Sequence, residues 1–512
     1  MNGAESLVRT LLANGVDTCI ANPGTSEMHF VAALDRAPGM RCVLGLAEGV
    51  VTGIADGYGR MTGKPAVTLL HCGPGLANGL ANLHNARRAK TPIVNLVGDV
   101  ATYHRGNDAP LSTDIEAWAH PVSAWVRTAI DSATVGADGA AAVGAARTGN
   151  GGIATLILPS DVCWDPGGVP AGPAAPAKAP SVGEAQVEQA VRVLRSGEPV
   201  AIILGGPALR PAAIDQAARI AAATGASLMA PTSIPRIERG RTRPVVQRVP
   251  YPVNQALAFL AGFKHFILVC ARRPVCFFAY PGKPCRPEPP GIRTHVLAGP
   301  DEDGGEALAR LAEALRAGPA PPQRRPRPEF PAGQPLTSGT FAQALAVVLP
   351  DQAIVVDESI SYGGGFFPAI FDAAPHDWLQ IAGGAIGDGL PLAAGAALGA
   401  PGRRVVDLQA DGSAMYTLSA LWTQAHERLD VTTVLLSNRS YAILESELAA
   451  VEAQPGPAAL GLMGLRSPDL DWLALAKGFG VEAARAENLD QFRQAFQASV
   501  AQPGPFLIEL MI

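Results

Sequence analysis

Asp411-Gly412-Ser413 and Asn438 stand 27 residues apart, and each ligand-type residue follows an apolar run, Arg404 to Ala410 for the aspartate and Val431 to Ser437 for the asparagine. A carboxylate and an amide oxygen at the ends of adjacent strands suit Mg²⁺. That hard cation takes few ligands from protein and leaves the rest of its octahedron to phosphate and water. Tyr416 to His426 reads as a helix, so the unit is strand, loop, helix, strand. Glu48 opens a second helical stretch that ends Ala55-Asp56-Gly57-Tyr58-Gly59-Arg60. Set against Leu46, Val50 and Val51, its carboxyl group would stand in a largely apolar wall and could shuttle a proton near neutrality. As a first-turn acid it would only interact with the helix dipole.

Three further stretches combine turn residues with polar groups. Asn22-Pro23-Gly24-Thr25-Ser26-Glu27 follows the short strand Thr18 to Ala21 and opens a helix. His71-Cys72-Gly73-Pro74-Gly75 follows the strand Ala66 to Leu70. Gly383-Gly384-Ala385-Ile386-Gly387-Asp388-Gly389-Leu390-Pro391 is a glycine-rich loop, which alone fits a tight turn as well as a phosphate loop.

The elements that must position these residues alternate between helix and short apolar strand. In the first part the strands are Thr18–Ile20, Val43–Leu46, Ala66–Leu70, Ile93–Val97 and Ala154–Leu158. That alternation predicts parallel sheets wrapped by helices. Pro- and Ala-rich stretches at 170–180 and 318–335 divide the 512 residues into three α/β units, at 1–168, 183–317 and 336–512. The second has strands at Val200–Leu204, Phe266–Val269 and Thr294–Leu297; the third ends on Phe506 to Met511.

Apolar residues make up 48% and charged ones 17%, which allows a large core. A formal charge of −5 with no long basic run leaves nucleic-acid binding without an electrostatic footprint. The seven cysteines are scattered without a Cys-x-x-Cys pair, as expected of free thiols in a reducing compartment. Cys72 beside His71 reads as a small apolar filler rather than a nucleophile. The N-terminus lacks a basic start and an apolar stretch, and no 18-residue apolar run occurs. A cytoplasmic protein without signal peptide or membrane span is expected.

Taken in order along both ends of the chain, these motifs resemble those of the thiamine-diphosphate (ThDP) enzymes, in the branch of acetolactate synthase and benzoylformate decarboxylase. The family's metal motif runs Gly-Asp-Gly and, after a similar interval, Asn-Asn; here Ala410 and Ser437 replace its first Gly and first Asn. The resemblance implies three doubly wound domains: pyrimidine-binding, central and diphosphate-binding. It implies Mg²⁺ on Asp411, Asn438 and the carbonyl of Ser440, with Gly412, Ser413 and Tyr441 at the cofactor. Glu48 would activate the aminopyrimidine, Ile386 would wedge between the two rings, and the Gly384 carbonyl would bind the exocyclic amine. Asn22, Pro23, Gly24 and Thr25 would border the cofactor, and His71 would act in the site. The site would lie between the first domain of one subunit and the third of another, in a homodimer or homotetramer. Some relatives bind FAD centrally, but Leu204-Gly205-Gly206-Pro207 lacks a full dinucleotide fingerprint and a flavin-free domain is expected.

The shared reaction of the branch begins with decarboxylation of a 2-oxo acid, the cofactor supplying the chemistry. Protonation then gives an aldehyde, whereas attack on a second carbonyl gives a hydroxyketone or acetohydroxy acid. Counted from Asn438, Ile443 and Leu444 fall where members of the family line the substrate pocket, which the resemblance implies for them here. A β-branched Ile443 narrows it, and excess bulk in a packed site costs roughly 1–3 kcal/mol, which favours a small donor such as pyruvate. Leu444 cannot serve as the acid that simple pyruvate decarboxylases carry there. The central-domain histidine of benzoylformate decarboxylases is absent, with Phe278-Ala279-Tyr280 in its neighbourhood, which leaves His71 as the proton donor. His104 and Arg105 either meet an acceptor carboxylate or belong to a surface loop. The expected function is therefore acetolactate synthase-like decarboxylation and carboligation. Its alternatives are a non-ligating decarboxylase of the benzoylformate type and a catalytically silent relative, the latter prompted by Ala410 and Ser437. A dinucleotide-dependent oxidoreductase is disfavoured by the missing Rossmann fingerprint.

Overall fold

The computed structural model describes residues 1–512 and contains three sheets, each dominated by parallel pairing. The first holds β1 (Thr18–Ala21), β2 (Arg41–Leu44), β3 (Ala66–Leu70), β4 (Ile93–Asp99), β5 (Trp125–Thr128) and β6 (Ile153–Pro159) in the order β2-β1-β3-β4-β6-β5. The second holds β7 (Val200–Leu204), β8 (Ser227–Ala230), β10 (Gln247–Arg248), β11 (His265–Val269) and β12 (Arg293–Ala298) in the order β10-β8-β7-β11-β12. The third holds β13 (Ala353–Glu358), β14 (His376–Gln380), β15 (Val405–Ala410), β16 (Val431–Ser437), β17 (Glu482–Ala486) and β18 (Phe506–Met511). It runs β17-β18-β16-β15-β13-β14-β9, where β9 (Ile237–Arg239) comes from mid-chain and pairs antiparallel with β14. The central strands β4 and β16 are buried at every position, as strands covered on both faces by crossover helices must be.

Two elements differ from the sequence expectation. β2 is Arg41–Leu44 rather than 43–46, because Gly45 closes its pairing with a bond to the Ala21 carbonyl and the chain then turns outward. The helix expected from Tyr416 begins at Ala420. Tyr416 N–H bonds Ser413 in a tight turn, and the Thr417 hydroxyl donates to the Gly387 carbonyl at 2.9 Å, a side-chain bond that holds this segment off the helix.

The first and third units pack through the helices Glu48–Thr62 and Gly389–Gly399, which approach closely over glycine. A Cβ on Gly57 would collide with the Leu392 carbonyl, and one on Gly395 with Ile54. Val50, Val51 and Ile54 share one core with Leu390, Leu392 and Leu435. Arg60, buried beside Asp56, donates to the Gln380 carbonyl at 2.5 Å and ties this seam to β14. No helix is long and apolar enough to cross a membrane.

Candidate active site

The C-terminal ends of β13, β15 and β16 open into a cleft. This is where ligands bind in open parallel sheets. Asp411, Gly412 and Ser413 line it from the end of β15; Asn438, Ser440, Tyr441 and Ile443 line it from the end of β16; Ile386 enters from the glycine-rich loop. Asp411 is 2% exposed; its Oδ1 accepts from Gly412 N at 2.8 Å and its Oδ2 from Arg439 N at 2.6 Å. Burial pushes its carboxyl group up, and the backbone N–H groups oppose that shift. Asn438 Oδ1 accepts from Ser440 N at 2.9 Å. Tyr441 lies across Gly412, where a Cβ would run into its ring, and its hydroxyl donates to the Gly412 carbonyl at 3.4 Å. The donor set is hard oxygen with no thiol or imidazole, so these residues fit Mg²⁺ and a diphosphate.

Ser359, Ile360, Ser361 and Tyr362 complete the wall, residues that sequence reasoning missed. Ile360 has φ +48°, an outlier for a β-branched side chain and the kind of backbone strain that gathers at functional sites. The available signal was Asp357-Glu358-Ser359 directly after the apolar run of β13.

The loop carrying Ile386 is held from below and from the side. The Glu358 carboxylate accepts from Gly387 N and Gly389 N. Asn85 Nδ2 donates to the Ala385 carbonyl at 2.8 Å, and Asn82 Nδ2 to the Gly387 carbonyl at 3.2 Å. Both asparagines are buried on the helix Cys72–Ala89, and neither stood out in the sequence. Gly384 has φ +80° and lies beneath Phe277, whose ring leaves no room for a Cβ.

Glu48 and His71 lie elsewhere in the chain. Glu48 is half-buried at its helix N-terminus and accepts from Asn78 Nδ2 at 3.1 Å. Val50 and Val51 are buried, but Leu46 is 43% exposed and does not close the expected apolar wall within one chain. His71 packs over Gly24, and its Nδ1 lies 3.0 Å from Glu27 Oε2 and 3.3 Å from Ser26 Oγ. Glu27 is buried and also accepts from Gly24 N at 2.8 Å, so it fixes the Asn22–Thr25 turn and the imidazole together. Asn22 Nδ2 donates to the Gly45 carbonyl at 2.8 Å. Cys72 Sγ lies 3.1 Å from Ser26 Oγ, and burial pushes its thiol up to about 11, so it stays protonated. None of these residues lines the Asp411 cleft, nor do His104 and Leu444. His104 is exposed and bonds Asn107, while Arg105 is committed to Asp99 at 2.6 Å. Leu444 is 43% exposed.

Two family models match the chain. "Thiamine pyrophosphate enzyme, N-terminal TPP binding domain" covers residues 1–119, and "Thiamine pyrophosphate enzyme, C-terminal TPP binding domain" covers 369–510. IlvX of Mycobacterium tuberculosis (strain ATCC 25618 / H37Rv), provisionally named an acetolactate synthase large subunit, is 51% identical over 100% of this chain and 99% of its own length. Benzoylformate decarboxylase of Pseudomonas aeruginosa is 29% identical over 98% of this chain and 97% of its own. The fold is that of the Rhodococcus jostii 4-hydroxybenzoylformate decarboxylase, with a TM-score of 0.85 over 99% of this chain and 98% of that one at 24% identity.

Proposed function

The chain belongs to the thiamine pyrophosphate enzymes, in the group of acetolactate synthase and benzoylformate decarboxylase, and from that premise we propose that it decarboxylates a small 2-oxo acid and joins the remaining fragment to a second carbonyl compound. The observation that carries this reading is the cleft wall. Ile360, Ile386, Ile443 and Ile512 crowd the space beside Asp411 and Asn438, and Asp411 carries the only carboxyl side chain among the lining residues. Such a wall admits a short aliphatic donor, and apart from Asp411 its only O–H groups are the weakly acidic hydroxyls of serine and tyrosine.

Bound ThDP supplies the carbanion chemistry that releases CO₂. The protein's part is binding and orientation. Asp411, Asn438 and the Ser440 carbonyl would hold Mg²⁺; Gly412, Ser413 and Tyr441 would border the diphosphate. Ile386 would support the cofactor from below, and the Gly384 carbonyl would accept from its exocyclic amine. Glu48 would hold a proton at the aminopyrimidine, beside the Asn22-Pro23-Gly24-Thr25 turn. Glu48 and His71 do not line the Asp411 cleft of their own chain, so the complete site is assigned to a homodimer or a tetramer built from it. Support comes from apolar side chains exposed near both halves: Leu44 and Leu46 before Glu48, and Met415 and Tyr416 after Asp411.

One observation favours a second reading, the non-ligating decarboxylase. His71 is held by Glu27 and Ser26 in the manner of a positioned proton donor, which would release the product as an aldehyde. NMR of the product from pyruvate, with ThDP and Mg²⁺ added, separates the two. Acetolactate supports carboligation; acetaldehyde alone supports the second reading.

A further inference from the structure

Between β11 and β12 the chain leaves regular structure, and residues 276–285 fold back on themselves as a loop. Its neck is the pair Cys276 and Cys285. Cys276 N–H donates to the Cys285 carbonyl at 2.9 Å, and the Cys276 thiol donates to the neighbouring Pro284 carbonyl at 3.4 Å. A single backbone hydrogen bond of this length holds the Cα atoms of its two residues roughly 5–6 Å apart, near the value for a hydrogen-bonded antiparallel pair. That falls inside the roughly 4.4–6.8 Å that a disulfide spans. Both thiols are free, with Cys285 exposed and Cys276 part-buried.

The loop touches the candidate active site twice. Phe277 sits against Gly384 and packs at a tilt against Tyr251, with 5.3 Å between centroids. The Tyr280 hydroxyl donates to Glu447 at 3.4 Å, and Tyr251 donates to the same carboxylate at 2.9 Å. Glu447 lies on the helix Ala442–Ala450, which also carries Ile443.

We propose that Cys276 and Cys285 are a reversible redox modification site, whose disulfide fastens the neck of this loop and holds Phe277 and Tyr280 in place. The oxidant is a low-molecular-weight disulfide such as oxidised glutathione. The exposed Cys285 thiolate attacks one of its sulfurs, the S–S bond breaks, and one thiolate leaves and is protonated. Cys276 then loses its proton to solvent and attacks the Cys285 sulfur, expelling the second thiolate. Two protein thiols are oxidised and one small disulfide is reduced to two thiols. Burial raises the Cys276 thiol, which suits the later, resolving step. The pairing does not depend on which reaction the enzyme catalyses.

The test is full-length protein incubated with oxidised glutathione, alkylated, digested without reductant and mapped by mass spectrometry. A linked Cys276–Cys285 peptide that disappears with dithiothreitol is expected. C276S should instead retain glutathione on Cys285, and C285S should leave Cys276 open to alkylation. Hydrogen exchange over 276–285 should slow on oxidation of the wild type and stay unchanged in C276S. A glutathione adduct on Cys285 that never resolves, or two free thiols under conditions that modify the exposed Cys42, would overturn the pairing. Unchanged exchange in the linked protein would overturn the fastening.

Discussion

The backbone N–H of Gly387 donates to the carboxylate of Glu358 at 2.6 Å, and Gly389 donates to the other oxygen of the same group. One buried acid thus fixes the exit of the loop that presents Ile386 to the cleft. Burial pushes it from 4.5 up to about 7, against the pull of those N–H groups, and burial likewise raises Asp388 and Asp407. A carboxyl group raised in the folded state binds its proton more tightly there than in the unfolded chain. Its contribution is therefore fully present at acid pH and is lost as pH rises from about 4.5 through 7. For Glu358 alone the loss is about 3 kcal/mol. Calorimetry should give a lower Tm at pH 8 than at pH 5.5, and E358Q should flatten part of that slope. An E358Q profile as steep as the wild type would contradict this account. At pH 5.5 the variant should lose about 1–3 kcal/mol, because its amide NH₂ must face one of the two N–H donors.

D411A should lower ThDP affinity in the presence of Mg²⁺ by at least about tenfold, which corresponds to roughly 1.4 kcal/mol. The stability of the apo protein should change little at pH 8, because relief of a carboxylate that burial penalises offsets the loss of the acceptor shared by Gly412 N and Arg439 N. Titration calorimetry and a thermal melt read the two quantities separately. Unchanged ThDP affinity would remove Asp411 from the metal site.

The strands were legible because each is a short apolar run bounded by turn residues, and the three sheets follow from their alternation with helices. Asp411 and Asn438 were legible because both stand directly after such runs. The partners that hold the site were not. Glu27 meets His71 across 44 residues of sequence, and Phe277 of the central unit meets Gly384 of the third. Asn82 and Asn85 look like ordinary helix positions until their amides are seen to reach the Gly383–Gly387 backbone. The false helix start at Tyr416 has the same origin, since Thr417 is spent on a contact with Gly387 that local pattern does not encode.

The Glu27–His71 contact makes its own prediction. E27Q should lower kcat roughly tenfold to a hundredfold with little change in KM, as expected when a proton-transfer group loses its orienting partner. G98A should act in the same direction, because a Cβ there would collide with the Glu27 carboxylate. Steady-state kinetics on both variants check this; a rise in KM at constant kcat would mean that the pair serves binding only.

I443A should widen the donor end of the cleft. Relief of roughly 1–3 kcal/mol of crowding predicts that kcat/KM for an aryl 2-oxo acid, relative to pyruvate, rises about tenfold to a hundredfold. Competition between pyruvate and benzoylformate measures the ratio directly. An unchanged ratio would show that Ile443 does not face the donor.

The central claim is tested most directly by CO₂ release from pyruvate and longer 2-oxo acids, with and without ThDP and Mg²⁺. The account predicts release that needs both additions, is fastest with the shortest donors, and is abolished by E48Q. Silence toward every 2-oxo acid while ThDP binds would contradict it.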